Sequence, residues 1–383
     1  MPVRLARPPF TPSALQVWAV EDTSIQLTWG SLPAGPIRVS AQDRTVEIEH
    51  TGGPGEFTLS GLSPATDYRV HVDHRAGTRT LEARTLATPP GALLSRVATV
   101  SDLHIGSRRW GFLKTMVETE PFDTPFPVRC ARAAIGEAIA WGAELIMIKG
   151  DAVNHRSPHN FAELGRLVDL FPDTPMLLVP GNHDVDFQHS TMELPATVGE
   201  RALPFTTTVV HLDVPGLRVI AGDTSIPGQG PGTLARTGEA MIQTAAEADR
   251  PALVGVHHHF DRLSRPTHWP PGIPKAEAKP FFDDLRRGNP DVLVTSGHSH
   301  RNRARRHQGV AVTEVASTRD WPGVWAGYAV HEGGIRQVVR RVAAADAVVW
   351  HEYSRGAVLG AWEHWAPGPL AQRSLAINWS TDS

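Results

Sequence analysis

Carboxylate, imidazole and amide side chains follow apolar, strand-like runs at five places in the second part of the chain. The residues at these run ends are Asp102, His104, Asp151, Asn182, His183, His257, His298 and His300. In an open α/β sheet the carboxyl ends of the strands line one crevice, so we expect the five run ends to meet there. One Asp-x-His or Gly-Asp pair after a strand is commonly an ordinary turn, but five such ends in succession predict a shared site.

These side chains are common ligands of divalent transition metals. Imidazole suits Zn, Fe, Ni or Cu, and carboxylate suits Mn and harder ions. The one cysteine, Cys130, is not among them, which argues against a structural thiolate zinc. An aspartate can bridge two cations because it brings charge and two oxygens. There are more candidate ligands than one tetrahedral ion can use, so the sequence predicts two divalent ions, with Mn, Fe, Zn and Co as candidates.

Apolar runs alternate with amphipathic, helix-like segments from residue 96 onward, as where ELIMIKGD is followed by FAELGRLVDLF. This alternation predicts a layered α/β core in which helices flank a sheet. Segments 206–223 and 310–342 are β-rich without helix patterns, so the predicted sheet is mixed. We expect the catalytic domain to span 96–345. A Trp-rich extension at 346–383 should pack on it, because exposed Trp side chains are costly.

The N-terminal part of the chain has strand patterns only. A Pro-rich tail at 1–9 precedes short alternating runs over 10–88, which Gly, Pro, Asp and Ser separate. Trp29 stands where a sandwich-core Trp would, and the Leu-x-Pro-x-Thr-x-Tyr run that ends at Tyr68 has the form of a tyrosine corner. Residues 10–88 therefore resemble a fibronectin type III domain, in which we expect no catalytic residue. A linker is predicted at 89–95.

Residues 96–342 resemble the calcineurin-like metallophosphoesterase superfamily. Its blocks are Asp-x-His, Gly-Asp, Gly-Asn-His-Asp, a strand-end His and Gly-His-x-His. They begin in this chain, in that order, at Asp102, Gly150, Gly181, His257 and Gly297. Within the superfamily the chain is most similar to the bacterial branch related to cyclic nucleotide phosphodiesterases.

The resemblance implies a ligand set for two metals. One metal would be held by Asp102, His104, Asp151 and His300. The other would be held by Asp151, Asn182, His257 and His298, so that Asp151 bridges the two. His257 stands at the usual position of the fourth block, but a shift of one residue would select His258.

The resemblance also implies catalytic roles beside the metals. His183 would face the substrate and protonate or hydrogen-bond the leaving oxygen, and such general acid help is worth roughly 10²–10⁴-fold. Asp184 would orient His183, or else only cap the following turn. A hydroxide that bridges the two metals would attack the phosphorus.

Three further polar side chains are candidates for substrate binding. Arg108 and Arg109 lie in the long connection 106–128 and could reach a phosphate, with solvated surface arginines as the alternative. Asn154 stands where purple acid phosphatases, which also pair a fibronectin-like domain with such a core, have a Tyr. They also have Gly where His104 stands, and these two differences argue against an iron–tyrosinate site here.

Composition limits the function classes. The formal net charge is −3, from 37 basic and 40 acidic residues, so no basic balance points to nucleic acid. No apolar run approaches the ~20 residues of a membrane span, and the N-terminus has no apolar signal region. One cysteine fits a reducing compartment, and the low Lys and high Ala content fits a bacterial coding sequence. We therefore expect a cytoplasmic, bacterial protein.

These observations favour an enzyme that hydrolyses a phosphate ester, most of all a small-molecule or cyclic phosphodiester. A phosphomonoesterase or nucleotide phosphatase is the alternative within this class. In a different class, the β-sandwich would recruit a protein or glycan partner, and the metal core would be secondary or inactive. The intact set of candidate ligands argues against an inactive core.

Overall fold

The structure, a computed structural model, describes residues 13–111, 115–118, 122–186, 192–264 and 270–380. Its N-terminal region contains strands only, in two antiparallel sheets ordered β1-β2-β5 and β4-β3-β6-β7. The strands are β1 (Gln16–Val20), β2 (Ser24–Leu32), β3 (Gly35–Ala41), β4 (Arg44–His50), β5 (Gly53–Ser60), β6 (Asp67–His74) and β7 (Gly77–Arg84).

The two N-terminal sheets enclose one apolar core. Trp29 on β2 and Tyr68 on β6 are both buried in this core. The Tyr68 hydroxyl accepts a hydrogen bond from the backbone N–H of Ser63 at 2.7 Å, which is the contact a tyrosine corner makes. The region is therefore all-β as expected, while its assignment to the fibronectin type III class stays a prediction.

The remaining chain forms two six-stranded mixed sheets. The first has the order β12-β11-β8-β21-β22-β23, and the second has the order β15-β16-β17-β18-β20-β19. The strands of the first sheet are β8 (Leu93–Val100), β11 (Leu145–Lys149), β12 (Met176–Val179), β21 (Val324–His331), β22 (Gly334–Arg341) and β23 (Ser374–Asn378). Those of the second are β15 (Val209–Val214), β16 (Leu217–Gly222), β17 (Ala252–Gly255), β18 (Val292–Ser296), β19 (Arg303–His307) and β20 (Val310–Glu314).

Helices cover the outer faces of these sheets, and two short ribbons complete the fold. The ribbons are β9 (Arg109–Trp110) with β10 (Met116–Val117), and β13 (Thr197–Val198) with β14 (Leu203–Pro204). The helices are α1 (Phe126–Ala140), α2 (Pro158–Asp169), α3 (Gly238–Ala246), α4 (Lys275–Gly288), α5 (Ala345–Ser354), α6 (Ala361–Trp365) and α7 (Leu370–Arg373). None of the helices in the described ranges combines the length and apolarity of a transmembrane span.

The apolar pattern of each central strand explains the layering. In β11, Leu145 and Met147 face the second sheet, while Ile146 and Ile148 pack against α1 and α2. The second sheet packs on α3 and α4 in the same way through its other face. A strand covered on both faces needs a continuous apolar run, as these strands have. The predicted layered α/β core with a mixed sheet is confirmed.

The C-terminal residues return to the first sheet. β23 pairs with β22 as the edge strand of that sheet, and Trp350 of α5 is buried against Phe126, with ring centroids 3.7 Å apart. Residues 93–95, placed in the predicted linker, form the beginning of β8. The division of the chain into separate domains stays a prediction.

Buried ion pairs join the N-terminal region to the first sheet. Glu21 is 5% exposed. Its carboxylate lies 2.7 Å from Nη2 of Arg336 and 3.0 Å from Nε of Arg340. Asp22 also pairs with Arg336. Burial alone would raise the pKa of Glu21, but Arg340 and Arg336 lower it below its ordinary value. The Glu21 carboxylate is therefore charged at this junction, and the two arginines balance its charge.

We expect Glu21→Ala to lower the thermal unfolding midpoint, because it leaves the buried guanidinium of Arg336 short of a partner. Removing one member of a buried pair costs about 3–5 kcal/mol. The control is Glu82→Ala, since Glu82 and its partner Arg69 are both 77% exposed and such surface pairs contribute about 0.2–1 kcal/mol. Equal midpoints for the two variants in calorimetry would show that the junction pairs do not stabilise the fold.

Candidate metal centre

The candidate ligands lie where parallel strands of the two sheets end. β8, β11 and β12 run parallel in the first sheet, and β17 and β18 run parallel in the second. Each strand is followed within four residues by at least one of the predicted side chains. Strands that run parallel within a sheet carry their carboxyl ends to one edge, and the contacts of His257 with Asp151 and of His298 with Asp102 join the edges of the two sheets.

The backbone at this edge is strained. Five of the eleven described non-glycine residues with positive φ are candidate ligands, namely Asp102, His104, Asp151, His298 and His300. Left-handed backbone is unfavourable for such residues, and it concentrates at functional sites where surrounding structure holds it in place. The loops also approach closely, since a Cβ on Gly181 would stand 2.3 Å from Oδ1 of Asp151. The strain and the close approach both occur at the predicted site.

The two carboxylate oxygens of Asp151 face two different groups of side chains. Oδ2 lies 3.5 Å from Nε2 of His104, and Oδ1 lies 3.4 Å from Nε2 of His257. On the His104 side, Nε2 of His300 lies 3.4 Å from Oδ1 of Asp102. Asp151 therefore stands between the two predicted ligand sets.

The second group collects around His257. Its Nε2 lies 3.3 Å from Oδ1 of Asn182 and 3.2 Å from Nδ1 of His298. His258 is also buried beside these rings, but its Nδ1 lies 2.9 Å from the hydroxyl of Thr224. Of the two neighbouring histidines, His257 is the one placed against both Asp151 and Asn182.

Hydrogen bonds fix which nitrogen of each ring carries its proton. Nδ1 of His257 lies 2.8 Å from the carbonyl of Lys149, and Nε2 of His298 lies 3.1 Å from the carbonyl of Pro271. A carbonyl only accepts, so each of these nitrogens carries N–H and the other presents its lone pair. His300 is oriented in the same way, since its Nδ1 lies 2.9 Å from Oδ1 of Asp320. The lone-pair nitrogens of His257 and His300 thus face carboxylates, with Asn182 also beside His257, and that of His298 faces Nε2 of His257.

Some buried polar atoms in this group make no hydrogen bond. Oδ1 of Asp102 and both ring nitrogens of His104 are buried without one among the described residues. Burying polar atoms without hydrogen bonds is costly. Although burial alone would lower the pKa of His257, the charges of Asp151 and then Asp102 help raise it to about 9. The site therefore favours a cation, and its donor atoms fit divalent metal ions.

His183 lies at the opening of this group. Its Nδ1 lies 2.8 Å from the backbone carbonyl of Asn154, and its ring stands 4.6 Å from that of His104, edge to face. Within the described ranges no hydrogen bond joins Asp184 to the His183 ring, and the predicted orienting role stays a prediction. Its buried carboxylate instead accepts hydrogen bonds from the backbone N–H groups of Ala152, Val153 and Gly181. Burial and the charge of Asp151 raise the pKa of Asp184 to about 7.

A cavity of about 830 Å³ opens over the site. Among the residues proposed for substrate binding, Arg109 and Asn154 line this cavity, and Arg109 is exposed. Arg108 is exposed and is not among the lining residues.

The cavity and site residues that sequence reasoning missed include Trp110, Arg319, Asp320 and Trp362. Trp110 stacks on His300, with ring centroids 5.1 Å apart. Asp320 and Arg319 follow β20, another parallel strand of the second sheet. The signal that revealed the other strand ends was therefore present there, in the polar Ser-Thr-Arg-Asp run at 317–320. Trp110 and Trp362 carry no comparable signal.

Comparison with known proteins finds a matching family and similar sequences. The family model described as calcineurin-like phosphoesterase matches residues 95–302. A probable cyclic nucleotide phosphodiesterase of Psychrobacter arcticus is 27% identical over 247 residues, which cover 61% of this chain and 83% of the relative. Another probable cyclic nucleotide phosphodiesterase, from Psychrobacter sp. strain PRwf-1, is 24% identical over 198 residues, which cover 49% and 55% of the two chains.

Among solved structures, the chain is similar to a purple acid phosphatase from yellow lupin (Lupinus luteus) seeds. The two are 12% identical with a TM-score of 0.44, and the match covers 88% of this chain and 73% of that one. The family match covers more than half of the 383 residues and contains every strand end that carries a candidate ligand. This chain belongs to the calcineurin-like phosphoesterase family.

Proposed function

We propose that this protein hydrolyses phosphate esters with the help of two divalent metal ions, and that its substrate is a small or cyclic phosphodiester. The observation that carries the proposal is the placement of Asp151, whose two oxygens face separate groups of buried ligand atoms. Two divalent ions bound at such a site supply positive charge to the phosphate oxygens and activate water for attack on phosphorus.

The residues would divide between the two ions as follows. One ion would be held by Asp102, His104, Asp151 and His300. The other would be held by Asp151, Asn182, His257 and His298. The lone-pair nitrogens that the backbone carbonyls and Asp320 leave available support this assignment. Mn, Fe, Zn and Co all suit this mixture of imidazole, carboxylate and amide ligands.

His183 is proposed as the proton donor to the leaving oxygen. Its Nδ1 is engaged by the carbonyl of Asn154, which leaves Nε2 as the ring nitrogen that can reach a ligand in the cavity. The ring lines that cavity beside Asp151 and Asn182. Asp184 contributes indirectly, because two of its backbone hydrogen bonds, from Ala152 and Val153, hold the loop of His183 against the loop of Asp151.

Two observations support a phosphodiester over a phosphomonoester. The similar Psychrobacter proteins are named as probable cyclic nucleotide phosphodiesterases. In addition, Arg319 in the cavity is paired with Asp320. The pair carries no net positive charge, and a dianionic monoester would need such charge more than a monoanionic diester would. Arg109 is the observation that favours the monoesterase alternative, because it is exposed in the cavity and forms no ion pair with the residues that the structure describes.

We expect Asp151→Asn to reduce the bound metal from about two ions per chain to below one, and to abolish hydrolysis. The amide keeps the shape of the side chain but loses the charge and one oxygen that face the two ligand groups. Metal content after reconstitution and desalting measures the effect. Asp283→Asn, at the surface beside Lys279, is the control. Full metal content in Asp151→Asn would contradict a bridging role.

We expect His183→Ala to keep its metal and to lower kcat by roughly 10²–10⁴-fold, the usual contribution of a general acid. Metal content and kcat with the same ion are measured together. His159→Ala, on an exposed part of α2, serves as the control. Loss of metal from His183→Ala, with normal turnover by what remains, would show that His183 is a ligand and not a proton donor.

We expect kcat/KM for bis(p-nitrophenyl) phosphate to exceed that for p-nitrophenyl phosphate when both are measured with the same metal. Arg109→Ala should lower the monoester value by less than about fivefold, because an exposed charge is screened by solvent. A clear preference for the monoester that Arg109→Ala removes would support the monoesterase alternative instead.

A further inference from the structure

Arg319 is a buried cation in the wall of the cavity. Its side chain is 3% exposed, yet it lines the same cavity as His104, Asp151 and His300. A guanidinium is seldom buried without a complete set of partners. The groups that the Arg319 guanidinium binds must therefore account for its burial beside the ligand groups.

The partners of Arg319 occupy only part of its hydrogen-bonding capacity. Nε and Nη2 both lie 3.3 Å from the same oxygen of Asp320, Oδ1. That oxygen has a shorter contact, 2.9 Å, with Nδ1 of His300. Nη1 makes no hydrogen bond to any residue that the structure describes. A guanidinium has five N–H donors in a planar fork, so several remain for a ligand.

Two neighbours fix the position of this guanidinium. It lies over the ring of Trp110, with Cζ 4.5 Å from the centroid, and Trp110 in turn stacks on His300. Asp320 contacts both Arg319 and His300. Arg319 is thus held at a fixed place beside the first ligand group.

We propose that Arg319 binds the substrate phosphate, donating hydrogen bonds to its non-bridging oxygens, and that Asp320 and Trp110 hold it for this task. The planar fork of arginine matches phosphate oxygens. Because Asp320 balances the charge, the pair offers donors without extra positive charge, which suits a monoanionic phosphodiester. This inference rests on the proposed hydrolysis of phosphate esters and adds a specific contact to it.

The test compares Arg319→Lys and Arg319→Met with Arg305→Lys in the metal-loaded protein. Arg305 is the matched control because its side chain is only 10% exposed and is paired with an acid, Glu314, but it is not among the lining residues of the cavity. Three quantities are measured, namely metal content, KM for bis(p-nitrophenyl) phosphate, and the affinity for inorganic phosphate by titration calorimetry.

We expect Arg319→Met to keep its metal and to weaken phosphate affinity and raise KM by about tenfold to a hundredfold, the usual effect of losing a charged hydrogen bond. Arg319→Lys should recover part of this loss, and Arg305→Lys should match the wild type. Unchanged phosphate affinity in Arg319→Met would overturn the proposal. So would loss of metal with normal phosphate affinity in the loaded fraction, because Arg319 would then act only through Asp320 and His300.

Titration calorimetry with inorganic phosphate distinguishes a failure of this inference from a failure of the proposed function. If the wild type hydrolyses no phosphate ester, the proposed function fails, whatever the Arg319 variants do. Phosphate binding that depends on Arg319 would still support the contact in that case. If the wild type is active and the Arg319 variants equal the control in KM and phosphate affinity, the function stands and the inference fails.

Discussion

The arrangement of the site depends on how the loop of Asp151 is held. The backbone of Asp151 adopts positive φ, and the Asp151 carbonyl accepts a hydrogen bond from the N–H of His104 at 2.8 Å. Its carboxylate accepts another from the N–H of His183 at 2.9 Å. Asp184 adds hydrogen bonds between the same loops. Backbone contacts therefore orient this carboxylate, and the two oxygens have little freedom to turn elsewhere.

A carboxylate fixed in this way imposes requirements on its surroundings. The neighbouring loops must come close, which is why Gly150 and Gly181 have no room for a side chain. The imidazoles must present lone pairs, and the carbonyls of Lys149 and Pro271 meet this need from the opposite side of each ring. Strain in the backbone is offset by these contacts. Contacts within the protein thus arrange the ligand atoms. The lone pairs of the imidazoles point toward the centre of the site.

The sequence predicted the layered core and the strand ends because both follow from local patterns, namely apolar runs and the polar residues directly after them. It did not predict the contacts of Asp184, since the same residue type at that place could cap a turn or orient His183, and only the neighbouring loop decides. It also missed Arg319 and Asp320, although they follow a strand as the others do, because no metal-ligand motif marks them. Trp110 lies on a two-residue strand, which is too short for any periodicity to show.

The loop of Arg319 and Asp320 also connects the site to the N-terminal strands. Trp321, the next residue, packs edge to face against Trp18 of β1, with ring centroids 6.3 Å apart. The guanidinium of Arg341 covers Trp321 at 4.5 Å, and the side chain of Gln26 on β2 hydrogen-bonds the backbone of Arg341. Removing the N-terminal strands would expose Trp321 and release one side of this loop. Although the N-terminal region supplies none of the candidate ligands, it therefore supports the segment that orients His300.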